Sequence, residues 1–461
     1  MNDCNNDNNN IHGENAMPTS SATSSAETSR TIGARAIAVL IMLFLFQTLN
    51  FFDKLVFGLS AVPMMKELAL SPKDFGLIGS SFFLLFSLSG MAVGMFVVGR
   101  FPVKWLLLIM AGIWSATQIP IFFSSSVAVL VICRIILGAG EGPGLPTALH
   151  ACYNWFPADK RSVPSAVVLQ GISVGLLAGG PILTYIILNY GWRSGFLFCG
   201  LLGIAWMFGW FMIGGEGPYS AAHASDGAAA KENTLPARVL WGDPTVIGVI
   251  IMSTASYWIV GMSATWLPPY LQLGLGYKQV DVGWIISGIY LFQSPLLLGG
   301  SWLTQFLQRR GFSLRACLGH ASGLALLAAG GALLLSIVTS GPLQLACVAI
   351  AFAAPSLTTI FGPVALGAVA PAAQRGRLIV VIYSGNAASA LISNALTGWI
   401  VGEAGANAPL GYAHAMTFTA GVLIAGAIAA FAMIFPERTI ARFAKSAQEP
   451  ASASAVPAIS T

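Results

Sequence analysis

Between residues 134 and 157 the chain reads RIILGAGEGPGLPTALHACYNWFP. The run before it, VAVLVIC, is lipid-soluble, yet the stretch carries Arg134, Glu141, four glycines and two prolines before it reaches Trp155. A charge at bilayer depth costs at least about 2.5–3.5 kcal/mol on insertion scales, so each ion needs a partner, a water-filled cavity or the surface. Seven residues make two helical turns. Both side chains therefore face one way, about 10 Å apart along the axis, which is too far for a direct pair. Each has to find its counter-charge on another helix.

The rest of the chain supports a membrane setting. Of its 461 residues 8% are charged and 56% hydrophobic, against about 25% charged in soluble domains. A spanning helix needs about 20 mostly apolar residues. Twelve such runs are legible, near 35–62, 74–98, 105–123, 127–152, 164–190, 194–213, 244–272, 281–305, 314–338, 342–370, 376–402 and 412–435. The expected fold class is an all-α integral membrane protein with twelve transmembrane helices in two six-helix bundles. The expected divisions are a disordered tail over 1–33, a first bundle over 34–213, a central loop over 214–243, a second bundle over 244–435 and a disordered tail over 436–461. The first tail is Asn- and Ser-rich and too polar to bury a core, and it has no signal-peptide pattern. Of the 22 Lys and Arg, sixteen fall on the side shared with the N-terminus and four on the other, with Lys54 and Arg134 inside spans. This bias places both termini and the central loop in the cytoplasm. The protein is thus expected to be a multi-pass protein of the plasma membrane, or of the inner membrane if bacterial.

Other chemistries find no support. The six cysteines form no CxxC pair and the five histidines no HxxxH or HExxH spacing, so no metal site, cofactor or disulfide framework is expected. A net charge of +5 needs no nucleic acid to explain it. No nucleophile elbow or nucleotide loop suggests an enzyme.

Four ionisable residues lie clearly inside spans: Asp53, Lys54, Arg134 and Glu141. The run 36–50 before the first two is too short to span alone and LVFGLSAV follows them, so the helix continues past them. Asn50, Asp53 and Lys54 stand at i, i+3 and i+4, on one face. They are the nearest counter-charges for Arg134 and Glu141, so the first and fourth helices are expected to share a polar cavity. Gly138, Gly140, Gly142 and Gly144 permit close helix approach, and Pro143 and Pro146 loosen the backbone ladder. With Arg134 two turns away, Glu141 is expected to lack a permanent partner and to titrate. The second half offers only neutral candidates for substrate contact: Tyr290, Gln293, Tyr383, Asn386 and Asn394, with Gln170 in the fifth helix. Hydrogen bonding between helices is the plainer role for any one of them.

These patterns converge on a resemblance. The chain resembles the major facilitator superfamily and, within it, the anion:cation symporters, which carry sugar acids, dicarboxylates and aromatic acids. NFFDK (50–54) resembles that family's NYxDR. RIILGAGEGPGLP followed by WFPADKR (155–161) resembles RxxLGxxEAPxxP with WFPxxxR, and GWRSGF (191–196) is similar to GWRxxF. The Gly-containing helix ends and basic loops after the second and eighth spans also echo one another, as six-helix repeats do.

The resemblance implies proton-coupling carboxylates at Asp53 and Glu141. It puts Lys54 where the family has arginine, a point charge in place of a bidentate fork. It also implies that Phe51 and Phe86 stand where the family has tyrosines, so the substrate is expected to be less hydroxylated than a sugar acid. Arg100 and Lys104 match the family's cytoplasmic gate loop, but Gly99 and Gln305 replace its aspartates. The expected function is proton-coupled symport, in the uptake direction, of a small organic anion, a monocarboxylate or aromatic acid, by a monomer. Lys54 and Arg134 would attract the carboxylate while Asp53 and Glu141 take protons. The alternative is a proton-coupled exporter or an anion exchanger, since GISVGLLAGGP (171–181) partly resembles the GxxxGP element of antiporters. A transporter-like receptor is a third reading, and the short polar tails give it no signalling domain.

Overall fold

The computed structural model describes residues 33–97, 100–157, 160–220 and 235–453. Expectations for the tail over 1–32, for Gly99 and for 454–461 lie outside the described residues. With no water to take up N–H and C=O groups, a chain crossing lipid satisfies them within helices. The spans are α1 Ala34–Leu59, α2 Pro72–Phe96, α3 Val103–Phe123, α4 Val127–Trp155, α5 Ser162–Tyr190, α6 Trp192–Ile213, α7 Pro244–Thr265, α8 Gln279–Arg309, α9 Arg315–Val338, α10 Gly341–Val369, α11 Gln374–Glu403 and α12 Ala408–Met433. All twelve expected runs are helical.

The expected edges give way where local chemistry demands it. Ser60 ends α1, and a short helix, Ala61–Glu67, follows. The seventh run, read to 272, stops at Thr265, because Pro268 and Pro269 follow and the chain turns through a π-helical segment at Tyr270–Gly274. Two spans are broken at their middles. In α4 the regular ladder ends at Glu141 and resumes at Gly144; in α10 it ends at Ala353 and resumes at Ser356. Pro143 and Pro355 stand at these breaks and have no N–H to donate. Side-chain caps fix several starts. Ser71 Oγ accepts from Asp74 N (3.2 Å) while Asp74 Oδ2 accepts from Ser71 N (3.1 Å), and Asp243 Oδ1 accepts from Thr245 N (2.9 Å).

Equivalent helices of the two halves pack alike. The pairs α1–α5 and α3–α6 in the first half correspond to α7–α11 and α9–α12 in the second, and α2–α11 and α5–α8 join the halves. The joint is tightest on the face opposite the termini. A Cβ at Gly58 would lie 2.5 Å from the Ala264 carbonyl oxygen, one at Gly76 would lie 2.6 Å from that of Asn394, and one at Gly180 would lie 2.4 Å from that of Gly283. Ser287 Oγ donates to the Leu177 carbonyl (2.5 Å) across α5–α8. Gln170 lies two turns from Leu177 on the same side of α5, and it is exposed. On the terminal side of Leu177, at Gln170, this face of α5 is no longer covered.

One expectation is corrected outright. The segment from 436 is no unstructured tail: Pro436–Ala453 forms a further helix, α13. Polar bonds hold it, which is why hydropathy alone misses it. Buried Asp243 accepts from Thr439 Oγ1 (2.8 Å) and pairs with Arg442 (3.5 Å), and Phe443 is buried. The central loop also contains a short helix, Ala237–Trp241, with 221–234 outside the described residues.

Candidate functional site

The site grows from the close seating of α4 on its neighbours. A Cβ at Gly138 would lie 2.0 Å from the Phe82 carbonyl oxygen, and one at Gly142 would lie 2.2 Å from that of Phe86. On the other side of α4, one at Gly140 would meet Ile113 of α3 at 2.7 Å. Larger residues would hold α4 away from α2 and α3. With glycine there, the start of the α4 break comes up against α1.

At that point Lys54 Nζ donates to Asn50 Oδ1 and pairs with Glu141 Oε2. The expected meeting of the first and fourth helices is present, but the expectation that Glu141 has no permanent partner is corrected: Lys54 holds it in this conformation. The pair is lopsided. The Lys54 side chain is 14% exposed and that of Glu141 is 0% exposed, so the cation faces the cavity and the carboxylate lies behind it. Glu141 Oε1 and Asn50 Nδ2 have no hydrogen-bond partner among the described residues.

Aromatic faces complete the surroundings. The Phe51, Phe86 and Phe82 ring centroids lie 4.7, 5.6 and 6.0 Å from Lys54 Nζ. Arg134 is buried, and its guanidinium lies 4.3 Å from the Phe57 ring and 4.7 Å from that of Phe82. A desolvated cation over a ring gains up to about 2 kcal/mol, which offsets part of the cost of burying it. Its Nε and Nη1 have no hydrogen-bond partner among the described residues. Phe57 stacks on Phe75 (4.8 Å), whose ring meets the edge of Trp266 in the second half (5.2 Å). Phe82 thus touches both cations, and Phe57 leads from Arg134 toward the closed face.

Asp53 departs from its expected place. One residue along a helix is a 100° turn. While Lys54 reaches α4, Asp53 turns toward Gln118 of α3 and Cys199 of α6. It is 3% exposed, sealed behind the cavity and not on the face shared by Asn50 and Lys54.

The second-half candidates do not join this cluster. Asn386 Oδ1 accepts from Thr254 Oγ1 (3.0 Å) and its Nδ2 donates to Ser253 Oγ (2.5 Å), the interhelical role weighed for it. Tyr383 donates to the Thr358 carbonyl (3.4 Å) and its ring meets Tyr257. Asn394 is wholly buried, its carbonyl accepting from Trp266 Nε1 (3.1 Å) at the closed face. Its side-chain Oδ1 and Nδ2 have no hydrogen-bond partner among the described residues. Tyr290 is buried near Ser263 of α7. Gln293 is half-buried with Oε1 unpartnered among the described residues, and Gln170 is exposed on the terminal side.

This architecture has known counterparts. A family model described as Major Facilitator Superfamily matches residues 43–363. The chain belongs to the Major Facilitator Superfamily. Solved superfamily structures share its fold. A bacterial homologue of the human lysosomal transporter Spinster, inward-facing and unoccupied, superposes with a TM-score of 0.72 at 18% identity, covering 89% of this chain and 98% of that one. A D-xylose–proton symporter gives 0.68 at 16% identity, covering 87% and 99%. Among curated relatives, the hexuronate transporter of Bacillus subtilis is 25% identical over 59% of this chain and 65% of its own length. The sodium-dependent phosphate transport protein 1 of Arabidopsis thaliana chloroplasts is 26% identical over 57% and 53%. The probable L-galactonate transporter of Escherichia coli is 24% identical over 59% and 62%. The chain thus spans somewhat more than half the length of these relatives. The superfamily is one of transporters and not of enzymes.

Within this superfamily member, the basic loop after α2 finds an acid that sequence reasoning overlooked. Glu216, three residues past α6, accepts from Lys104 N (3.1 Å) at the start of α3 and from Asn154 of α4 (3.5 Å). Lys104 Nζ donates to the Phe211 carbonyl (2.9 Å), and Arg100 donates to that of Phe96 (3.1 Å). The second half repeats the device: Glu437, four residues past α12, accepts from Arg315 N (3.0 Å) at the start of α9. Gln305 stays exposed. A glutamate shortly after the last span of each half, in GGEGP and FPERT, was the available signal. Gln118, Cys199, Phe57 and Phe82 were also missed, because neutral and aromatic residues in apolar runs carry no sequence mark of their neighbours.

Proposed function

We propose that the protein is a proton-coupled symporter that takes up a small organic anion, a monocarboxylate or an aromatic acid, by alternating access. The observation that carries this reading is the Lys54–Glu141 pair within a ring of Phe51, Phe82 and Phe86. A carboxylate arriving from the cavity competes with Glu141 for the Lys54 ammonium. Glu141, displaced in a low-dielectric setting, cannot stay ionised cheaply and takes a proton. Anion and proton are then bound together. The phenyl rings accept an apolar or aromatic body and offer no hydroxyl to a polyol, and a site without such a partner discriminates weakly in favour of hydroxylated substrates.

Names among the relatives, hexuronate and L-galactonate transporters, support an organic acid as cargo. The aromatic ring around Lys54 argues for a less hydroxylated one here. The loop-charge bias supports cytoplasmic termini in a plasma or inner membrane, with the tightly packed face on the outside. The protein is read as acting as a monomer. The exporter reading draws no separate support from Gly171 and Gly175, since a Cβ at either would strike the α1 backbone at 2.3 or 2.6 Å and packing alone accounts for these glycines.

Uptake of labelled benzoate-like and galactonate-like acids, with and without a proton uncoupler, tests the proposal. Accumulation of the aromatic acid that collapses with the uncoupler is expected. Uncoupler-driven retention would indicate export, and exclusive uptake of the sugar acid would reverse the substrate assignment.

A further inference from the structure

Behind the anion site lies a second polar cluster that the exchange at Lys54 does not use. It sits between α1, α3 and α6 and consists of Asp53, Gln118 and Cys199, which are 3%, 0% and 5% exposed. Gln118 is its unusual member. The side chain is fully buried and approaches the Asp53 carboxyl, yet among the described residues neither its Oε1 nor its Nε2 closes a hydrogen bond of good geometry. Most buried polar groups are paired, as Asn386 is through both ends; Asn394 is the other buried amide with both ends open among the described residues.

The chemistry of an amide explains why such a group would be kept free. A carboxylate only accepts hydrogen bonds, whereas a carboxylic acid also donates one. A glutamine serves either. Nε2 donates to the ionised form, and a half-turn of the amide lets Oε1 accept from the protonated form. An amide already anchored elsewhere could not make that turn. The thiol of Cys199 adds a weak donor from α6. The other charged groups facing Asp53 are Lys54 on its own helix and Glu141 and Arg134 on α4.

We propose that Asp53, Gln118 and Cys199 form a closed proton-holding pocket behind the anion site, with Gln118 as the positioning residue that serves the Asp53 carboxyl in both protonation states. This rests on the reading of Asp53 as a proton carrier. It adds a division of labour: Glu141 exchanges with the substrate at the cavity wall, while Asp53 holds its proton out of contact with the cavity.

Infrared difference spectroscopy on the purified full-length protein in lipid nanodiscs, titrated without substrate or gradient, tests the pocket. Asp53→Asn identifies the carboxyl C=O stretch that belongs to Asp53. In Gln118→Met, which keeps the shape and removes the amide, that band should rise in frequency. Its pH midpoint should move by about one unit or more. In Cys199→Ser, a stronger donor, the band should fall. Should Gln118→Met not fold, the serine variant decides alone. An Asp53 band unmoved by these changes, or the lack of any protonated Asp53 band across the titration, overturns the proposal. Proton-driven accumulation is measured separately. If wild type shows none while the band still answers to Gln118, proton coupling fails and the pocket stands. If accumulation is intact and the band does not move, only the pocket falls.

Discussion

At the scale of single residues, Lys54 carries the most weight. Lys54→Ala should abolish carboxylate binding, at least a tenfold loss by scintillation proximity or calorimetry. Lys54→Arg should keep part of it, since charge and reach survive. Undiminished binding by Lys54→Ala would place the anion site elsewhere. Glu141→Gln imitates the protonated acid, so counterflow in proteoliposomes should persist while accumulation driven by a pH gradient is lost. Loss of both in folded protein would make Glu141 a structural or binding residue, and retention of both would leave Asp53 as the carrier. Phe51→Tyr with Phe86→Tyr should improve competition by sugar acids severalfold over the parent. The four charges were legible in the sequence because each is costly in lipid and so stands out. Their pairing was only half legible. Spacing along α4 showed that Arg134 and Glu141 could not bond each other, and Glu141 does meet Lys54 of α1, whereas Arg134 forms no ion pair among the described residues and lies over the Phe57 and Phe82 rings instead. Spacing did not show that Lys54 would take Glu141 while Asp53 turned to α3 and α6, because that depends on how neighbouring helices are rotated.

Among the elements, α4 depends most on its glycines. Gly138→Leu places carbon where the Phe82 carbonyl oxygen already lies and should cost several kcal/mol or prevent folding. Gly421→Ala on α12, with nothing within 4 Å of the added carbon, should instead leave the fold as stable or gain up to about 1 kcal/mol from helix propensity. Thermal melts in detergent compare the two. A smaller effect belongs to the loop helix Ala61–Glu67. The hydrogen bond from Arg193, aided by Trp192 Nε1 (2.7 Å), holds the Glu67 carboxyl below its ordinary range. A depressed carboxylate stabilises the fold above its unfolded value and loses that contribution as pH falls through the folded one. Glu67→Gln should therefore melt slightly earlier than wild type at pH 7, by less than about 1 kcal/mol for so exposed a pair, and the two curves should converge below about pH 4. Equal melting at pH 7 would mean the clasp contributes nothing. Element existence was legible throughout the apolar spans, where length alone decides. It failed at α13, a helix held by Asp243, Thr439 and Arg442 and not by hydropathy.

For the whole molecule, the question is what lets the two halves exchange partners. Gly180→Trp cannot coexist with the Gly283 carbonyl at its present distance, so the face opposite the termini should stay open. Reagents applied from that side should then reach a cysteine placed on the cavity wall at Phe51, and transport should stop. If that cysteine stays unreactive, closure does not depend on the α5–α8 contact. The closed face is assembled from glycine backbones and stacked rings, and each of the three ion pairs between described residues lies within one half. No such ion pair has to break for the halves to part. Dissolved electrolyte acts on exposed charges over a Debye length of about 8 Å at physiological ionic strength, and it finds no such pair at this joint. The balance between the two orientations of the empty carrier should therefore hardly change between dilute buffer and molar salt, while the capture of an anion from the cavity weakens as chloride crowds the approach to Lys54.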